Sequence, residues 1–286
     1  MIVGGALFVI NDSLVKLATQ SMPTGQLIVT RGIFAIAIIL AIIVATGETK
    51  RIKGAAQPIV LLRAGIEFLI TLFYVIAISQ LPISDLTSIM QATPIIMTIF
   101  VAVLRIEIVN WQRWLAVLIG FCGVLLVTKP GGANFTWFTL SALISATFVA
   151  FRDLVTRKIT GNIAPQIVIL TTTVFAMIGG IFIGAGETWV ALNPREYVIL
   201  ASAAIIVSMG NMLMVVAYRN AEVTVLSTLR YLVVVWAVIT GYFVFGEWPD
   251  LIAALGTCLV VGSGLYTGLQ ERRRNQRAKL AEATHA

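Results

Sequence analysis

Apolar residues occur in ten long runs along the chain, and short polar connections separate the runs. About 20 consecutive apolar residues cross the ~30 Å hydrocarbon core of a bilayer as a helix. Most connections contain turn-forming residues, as in "SMPTG", "TKPGGAN" and "GEWPD", so sequence neighbours are expected to pack side by side. Runs this long exclude a β-barrel, whose strands alternate over about 10 residues. The pattern predicts an all-α integral membrane protein with ten transmembrane helices, at about residues 2–19, 24–46, 58–80, 84–104, 110–128, 135–157, 163–185, 196–218, 222–245 and 250–269.

The composition agrees with this prediction. The chain is 59% apolar and 12% charged, with a mean hydropathy of +0.97, whereas soluble domains are about 25% charged. Cys122 and Cys258 both lie in apolar runs, and the only histidine, His285, lies in the polar tail. We therefore expect no disulfide framework, no metal site, no histidine-based catalysis and no cofactor.

Lysine and arginine are distributed unevenly between the connections. Thirteen of them fall on one side of the predicted membrane, in the connections after the second, fourth, sixth and eighth runs and in the tail, against about three on the other side. The positive-inside rule then places both termini in the cytoplasm, which requires an even number of spans. Because the net charge of +7 is concentrated at helix ends and in the tail, it indicates membrane orientation and not nucleic-acid binding. The first run begins almost at the start without a basic leader, so no cleavable signal peptide is predicted and a shortened N-terminus is one interpretation.

The two halves of the chain resemble each other. A shift of 140 residues places Glu107 on Glu247 and Gln26 on Gln166, and with one residue of slip Asp12 falls on Asp153. Each half contains five spans, which is an odd number, so the second half must be inverted relative to the first. Inverted repeats are common in secondary transporters, which bind substrate near the midplane between the repeats. Duplication also produces membrane proteins that do not transport.

Several ionisable residues lie at membrane depth, where charge is costly and often functional. Three pairs are four residues apart and fit helix-surface ion pairs, namely Asp12 with Lys16, Arg63 with Glu67, and Asp153 with Arg157. Three arginines have no such local partner: Arg31, Arg152 and Arg230. Asp12 and Arg31 lie at similar depths in neighbouring spans, which suggests a pair between helices.

Polar residues also follow single helix faces. Glu67, Thr71 and Tyr74 share one face of the third span, and Asn211 falls on the equivalent face of the eighth. We interpret these stripes as the lining of a central cavity, although serine and threonine also hydrogen-bond between helices without further function. The stripe in the fourth span, "TSIMQATPIIMT", matches Thr224, Ser227 and Tyr231 in the ninth, and it consists of Ser84, Thr87, Gln91, Pro94 and Thr98.

Two further features are structural. Pro94 cannot donate a backbone hydrogen bond, so it is expected to free the carbonyl of Met90 and to bend the fourth span. Glycines in the fifth and tenth spans predict close backbone packing away from the cavity, at Gly120, Gly123, Gly256, Gly262 and Gly264.

Longer stretches carry a family resemblance. "LFVINDSLVKLAT", "QLIVTRGIF", "SDLTSIMQATPIIMTIFVAVL", "RWLAVLIGFCGVLLV" and "LSTLRYLVVVWAVITGYFVFGEWPD" resemble the drug/metabolite transporter superfamily, specifically its EamA-type ten-helix members. The match covers nearly the whole chain, as one EamA repeat at residues 1–130 and a second at 131–270, before a basic cytoplasmic tail at 271–286. "RIE" at 105–107 departs from the usual Gly-Glu pair, which Gly246 and Glu247 keep. This departure puts no transport role in doubt, because the glutamate lies at a helix end.

The resemblance implies a bacterial inner-membrane protein with a central cavity lined by helices 1–4 and 6–9, in which the halves rock to give alternating access. "FRDLVTRKI" together with "LRYL" is similar to a bacterial branch that includes riboflavin importers. By residue, the resemblance places six side chains at or near the cavity: Asp12, Arg31, Gln91, Arg152, Arg230 and Tyr231.

The sequence therefore predicts a secondary transporter for a small organic metabolite, either a vitamin-type importer or an amino-acid or metabolite exporter. Its expected partners are the substrate and the lipid bilayer, as a monomer or homodimer. A channel or scaffold remains an alternative, and a membrane-embedded enzyme is disfavoured because the spans contain no histidine. No ATP-binding loop is present, so a gradient would drive transport, and Asp12 or Glu67 are candidate proton carriers. The candidate substrate-binding residues are Asp12, Arg31, Glu67, Tyr74, Gln91, Arg152, Asn211, Arg230 and Tyr231.

Overall fold

The computed structural model describes residues 2–105, 111–129, 136–156, 163–220 and 232–285. Within these ranges the chain forms α-helices and one 3₁₀ helix, and it forms no strand. The helices are α1 (Ile2–Ala18), α2 (Thr24–Ala45), the 3₁₀ helix (Glu48–Ala56), α3 (Pro58–Ile78), α4 (Ile83–Met90), α5 (Thr93–Val103), α6 (Trp111–Thr128), α7 (Trp137–Thr156), α8 (Pro165–Gly184), α9 (Pro194–Asn220), α10 (Leu232–Phe245) and α11 (Leu251–His285).

The all-α membrane class is confirmed. Six helical segments in the described part are long and apolar enough to cross a bilayer, and two shorter apolar helices, Trp114–Thr128 and Val233–Phe245, lie in α6 and α10. Each of the ten predicted runs contains helix. The fourth run contains two helices, α4 and α5, and α11 continues beyond the predicted end of the last run.

Helices of the first half pack mainly on helices of the second half. The main contacts join α6 to α11, α2 to α8, α1 to α9, and α3 to α7. Under the sequence shift, α2 and α8 are equivalent, as are α6 and α11, and the α1–α9 contact is equivalent to the α7–α3 contact. The packing of the two halves thus follows a two-fold pattern. Two of these contacts join a helix to its own equivalent in the other half, and the other two contacts are equivalent to each other.

One end of the helix bundle is densely packed. This end, called the α1–α2 end below, carries the connections at residues 19–23, 79–82, 185–193 and 246–250. A buried apolar cluster lies beneath it, with contributions from both halves. Its largest fully buried members are Leu27, Ile78, Leu86, Ile89 and Leu200.

The fourth span breaks at the predicted position. Helix α4 ends at Met90 and α5 begins at Thr93, with Pro94 in its first turn. Proline supplies no N–H for the carbonyl of Met90, and the hydroxyl of Thr93 donates to that carbonyl instead, at 2.6 Å. The structure confirms that Pro94 leaves the Met90 carbonyl without its helical partner and that the helix is interrupted there, and the hydroxyl of Thr93 satisfies this carbonyl.

The predicted close packing of glycines holds for Gly123 and Gly256, where α6 crosses α11. A Cβ at Gly123 would lie 2.7 Å from the carbonyl oxygen of Gly256, and a Cβ at Gly256 would lie 2.6 Å from that of Gly123. Neither backbone could approach the other so closely if a side chain were present. The expectation is wrong for Gly262, where a Cβ would meet no heavy atom of the described residues within 4 Å.

We therefore expect Gly123→Ala to lower the free energy of unfolding by about 1–3 kcal/mol, because the added methyl group overpacks a backbone contact. Gly262→Ala, in the same pair of helices, is the matched control and should leave stability unchanged or slightly higher. Thermal unfolding in detergent, followed by intrinsic fluorescence, measures both variants. Equal melting temperatures for the two variants would contradict the reciprocal glycine contact.

Candidate substrate-binding cavity

A cavity of about 280 Å³ lies between helices α2, α3, α7, α8 and α9. Both halves of the chain contribute to it, and neither α6 nor α11 lines it, as predicted for the glycine-rich spans. Its apolar lining includes Leu27, Ile28, Ile39 and Ile169. Its polar lining comprises Arg31, Arg63, Glu67, Thr71, Arg152, Thr172, Thr173 and Ser208.

Arg152 joins the two halves of the chain within this cavity. Its Nη1 atom lies 3.2 Å from both carboxylate oxygens of Glu67 on α3. Its Nε and Nη2 atoms donate to Oδ1 of Asp153, at 3.0 and 2.7 Å. The guanidinium therefore bridges two carboxylates, one from each half. Such a pair offsets the cost of placing charges where water is scarce.

Arg63 lies beside this bridge on α3. Its Nη2 atom is 3.8 Å from Glu67, so the predicted pair four residues apart is present, and its Nε donates to the hydroxyl of Thr156 at 3.0 Å. The third nitrogen, Nη1, is buried and has no hydrogen-bond partner among the described residues. Arg63 was assigned a structural role from sequence, yet it lines the cavity together with its partner.

Asp12 has a different partner from the one expected. Its carboxylate accepts a hydrogen bond from the hydroxyl of Tyr74, at 2.7 Å, and another from the amide of Asn11, at 3.1 Å. The suggested ion pair between Asp12 and Arg31 is absent from the described residues, although the two side chains interact electrostatically. The predicted face of Glu67, Thr71 and Tyr74 thus spans two sites, since the first two residues line the cavity and Tyr74 binds Asp12.

Arg31 lines the cavity from α2. Within the part of the chain that the structure describes, its guanidinium donates no hydrogen bond, while Asp12 and Tyr74 exert the main electrostatic influence on it. A guanidinium carries five N–H donors and a permanent charge. Arg31 is consequently the cavity cation with the most binding capacity left for a ligand.

Of the remaining predicted site residues, the structure describes only the side chain of Gln91. Gln91 is 7% exposed and lies at the break between α4 and α5, outside the lining of this cavity. Asn211 falls within α9, but its side chain is outside the described part of the structure, as are Arg230 and Tyr231. Their roles stay predictions.

Three hydroxyl residues of the cavity were missed from sequence: Thr172, Thr173 and Ser208. Thr172 and Thr173 both donate to the carbonyl of Ile169 within α8, at 2.8 and 2.9 Å, and Ser208 donates to Ala204 within α9. Their oxygen atoms keep the capacity to accept a further bond. The run "TTT" at 171–173 was the available signal, and Ser208 lies one helical turn from Asn211.

The chain is similar to known bacterial transporters over most of its length. It is 22% identical to the S-adenosylmethionine uptake transporter of Rickettsia prowazekii, over 92% of this chain and 89% of the relative. It is 21% identical to the pseudopaline exporter CntI of Pseudomonas aeruginosa, over 89% of each, and 20% identical to the riboflavin transporter of Vibrio cholerae, over 98% and 95%.

The fold is also shared with a protein of known crystal structure. That chain matches with a TM-score of 0.63 at 17% identity, and the match covers 95% of this chain and 96% of the other. The family model for EamA-like transporters matches twice, at residues 1–129 and 136–268. The resemblance seen in the sequence is confirmed, and the chain belongs to the EamA-like transporter family.

Proposed function

We propose that this protein is a secondary transporter that moves a small organic metabolite carrying an anionic group, such as a carboxylate, across the bacterial inner membrane. Both termini face the cytoplasm, and the two halves alternate in opening the cavity to either side. The observation that carries the proposal is Arg31, a cavity guanidinium that no described residue engages in a hydrogen bond.

The charges around the cavity favour an anion. Three guanidinium groups line it, on Arg31, Arg63 and Arg152. Two carboxylates face them, since Glu67 lines the cavity and Asp153 binds Arg152. Among the described residues, Arg31 then has only the electrostatic influence of Asp12, whose carboxylate is hydrogen-bonded to Tyr74 and Asn11 and makes no ion pair with it. A charge in a membrane interior is costly unless it is paired, and guanidinium groups bind carboxylates in a bidentate geometry.

The size of the cavity favours a small ligand. Its volume of about 280 Å³ lies just below the ~300–1,000 Å³ range of ligand pockets. Leu27, Ile28 and Ile169 supply apolar surface to the same cavity as the charged side chains. A ligand with a compact carbon skeleton and one charged end fits both features.

The relatives support the coarse class and leave the direction open to experiment. Their names describe S-adenosylmethionine uptake, pseudopaline export and riboflavin transport, which are movements of small polar organic molecules. We extend to this chain the class of cargo that they share. The proposal includes two alternatives: the protein imports a vitamin-type molecule, or it exports an amino acid or related metabolite.

The first experiment combines a binding screen with counterflow. Purified protein is screened by thermal shift against small carboxylates and amino acids, each beside its uncharged amide or ester. Compounds that bind are then tested in proteoliposomes. We expect carboxylates to bind, the neutral analogues to fail, and unlabelled ligand inside the vesicles to accelerate uptake of labelled ligand. A channel would show no such acceleration.

Arg31→Gln should weaken binding of the carboxylate about ten- to hundredfold, because a hydrogen bond to a charged group contributes ~1.5–3 kcal/mol. Arg105→Gln is the matched control, since Arg105 follows α5 and lies outside the cavity lining. If Arg31→Gln binds carboxylates as well as the control does, Arg31 is not the anion site. If neutral analogues also bind equally well, the anionic class itself is wrong.

We also expect the break between α4 and α5 to take part in the movement. Pro94→Ala supplies an N–H for the Met90 carbonyl, and one added backbone bond stabilises the straight helix by ~1 kcal/mol, enough to slow counterflow about fivefold. Ligand affinity should change little, because Pro94 lies outside the cavity lining. Pro58→Ala, at the first position of α3, is the control. Wild-type counterflow kinetics in Pro94→Ala would remove the break from the mechanism.

A further inference from the structure

Glu247 makes a contact between the halves that was not predicted from the sequence. It follows Gly246, whose φ of +67° is a left-handed conformation that suits glycine. The N–H of Gly246 donates to Tyr242 at 3.0 Å, and the N–H of Glu247 donates to Gly241 at 2.9 Å. This capped turn ends α10 and holds the Glu247 side chain over the α1–α2 end of the bundle.

The carboxylate of Glu247 binds two segments of the first half. Its Oε1 atom lies 2.5 Å from Nζ of Lys16 on α1. Its Oε2 atom accepts a hydrogen bond from the N–H of Ile83 at 3.2 Å, at the start of α4. The first N–H groups of a helix have no partner within the helix. Glu247 therefore neutralises the Lys16 cation and caps α4 with the same carboxylate.

Lys16 is almost fully enclosed at this position. It is 5% exposed, and its Nζ atom also donates to the carbonyl of Leu81 at 2.7 Å. The ring of Phe245 lies beneath the ammonium group, 4.8 Å from Nζ, in the range of a cation–π contact. The pair thus joins α1 and the α3–α4 connection of the first half to the end of α10 in the second half.

A second set of bonds closes the same end between α2 and the α8–α9 connection. The side chain of Gln26 donates to the carbonyl of Val190 at 2.6 Å and accepts from its N–H at 2.9 Å. The N–H of Gly25 donates to Glu187 at 2.9 Å. Leu27 and Ile28, the next residues of α2, already line the cavity. These bonds therefore lie between the cavity and the α1–α2 end.

The position of the Lys16–Glu247 pair suits reversible separation. Lys16 lies in the last turn of α1, and the Glu247 side chain is 26% exposed. Water can therefore solvate the two charges when the halves of the protein separate. A pair of this kind deep in the bilayer would strand two unsolvated charges if it opened. At the membrane surface each charge can exchange its partner for water.

We propose that the Lys16–Glu247 pair is a latch that closes the α1–α2 end of the cavity and separates each time the cavity opens to that side. The latch rests on the alternating access proposed above. It assigns to Glu247 a role in the conformational cycle, which its position at a helix end did not suggest from sequence. The bonds of Gln26 with Val190 and of Gly25 with Glu187 form the neighbouring closure, which contains no ion pair among the described residues.

The test measures access to the cavity from each side and needs no knowledge of the substrate. Cys122 and Cys258 are replaced by alanine, and Ser208→Cys, on the cavity wall, becomes the reporter. A membrane-impermeant thiol reagent is applied to intact cells and, separately, to inverted vesicles. The positive-inside rule assigns the outer face of the cell to the α1–α2 end. The rate of labelling from each side reports the population that is open to that side.

Glu247→Gln should raise the rate of labelling from the α1–α2 side about tenfold and lower the rate from the opposite side, because the closed state loses its ion pair. Asp250→Asn is the matched control. It removes the neighbouring pair of Lys129 with Asp250, which also joins the halves at this end but is far more exposed. The asparagine can still cap α11 through the bond now made to Ala253. Labelling of this control should match that of the parent.

A second measurement avoids dependence on the stability of Glu247→Gln. Lys16→Cys and Glu247→Cys are introduced into the variant that carries Ser208→Cys. A short bifunctional thiol reagent first joins the cysteines at positions 16 and 247. A second, isotopically distinct reagent then labels the reporter. The cross-link should abolish labelling from the α1–α2 side and leave labelling from the other side in place. Full-length protein is recovered by size exclusion to confirm that the cross-linked chain is folded.

The outcomes separate the latch from the transport mechanism. If the parent is labelled from both sides and neither Glu247→Gln nor the cross-link changes the rate from the α1–α2 side, the latch is wrong and alternating access stands. If the reporter is reached from one side only in every variant, including Glu247→Gln, both the latch and alternating access are wrong. A selective gain in Glu247→Gln together with a selective loss on cross-linking supports the latch.

Discussion

A polar atom in the hydrocarbon region must find its partner within the protein, because lipid offers no hydrogen bonds. Much of the architecture follows from this constraint. Glu67 meets Arg152 across α3 and α7, and Asp12 meets Tyr74 across α1 and α3. Ser145 donates to a backbone carbonyl on α3, and the hydroxyls of Ser88 and Thr257 meet across α4 and α11. Each of these bonds helps to determine which helix faces contact each other. The cavity lies where the neighbouring helix faces are not in contact.

The two halves share their packing pattern but not their chemistry. The fourth span is divided at Pro94, whereas the equivalent position, near the start of α10, holds Val234, which keeps its backbone N–H. The ionic groups also differ in depth. Arg152 and Glu67 line the cavity, while Lys16 and Glu247 lie at the edge of the membrane. A substrate can compete for the deep charges, and water can compete for the shallow ones. The same type of ion pair therefore serves two purposes according to its distance from solvent.

The parts of the structure predicted from sequence are those that depend on one helix at a time. The runs of apolar residues predicted the all-α membrane class, and the missing N–H of Pro94 predicted the break. Partners on different helices were harder to predict, because they depend on how each helix is rotated and how deeply it is inserted. Asp12 was assigned to Arg31 but binds Tyr74. Lys16 finds its counter-ion 231 residues away, in a turn that no local pattern connects to α1.

The reciprocal contact of Gly123 with Gly256 has a consequence for the order of assembly. Helix α6 is complete when synthesis passes Thr128, but α11 begins only at Leu251. At usual rates of translation this interval lasts on the order of ten seconds, during which the glycine face of α6 lacks its partner on α11. The contact between α6 and α11 therefore forms only after most of the second half has been synthesised. A chain that stops before α11 leaves the backbone of α6 at Gly123 uncovered. This exposed groove distinguishes an incomplete chain from a complete one.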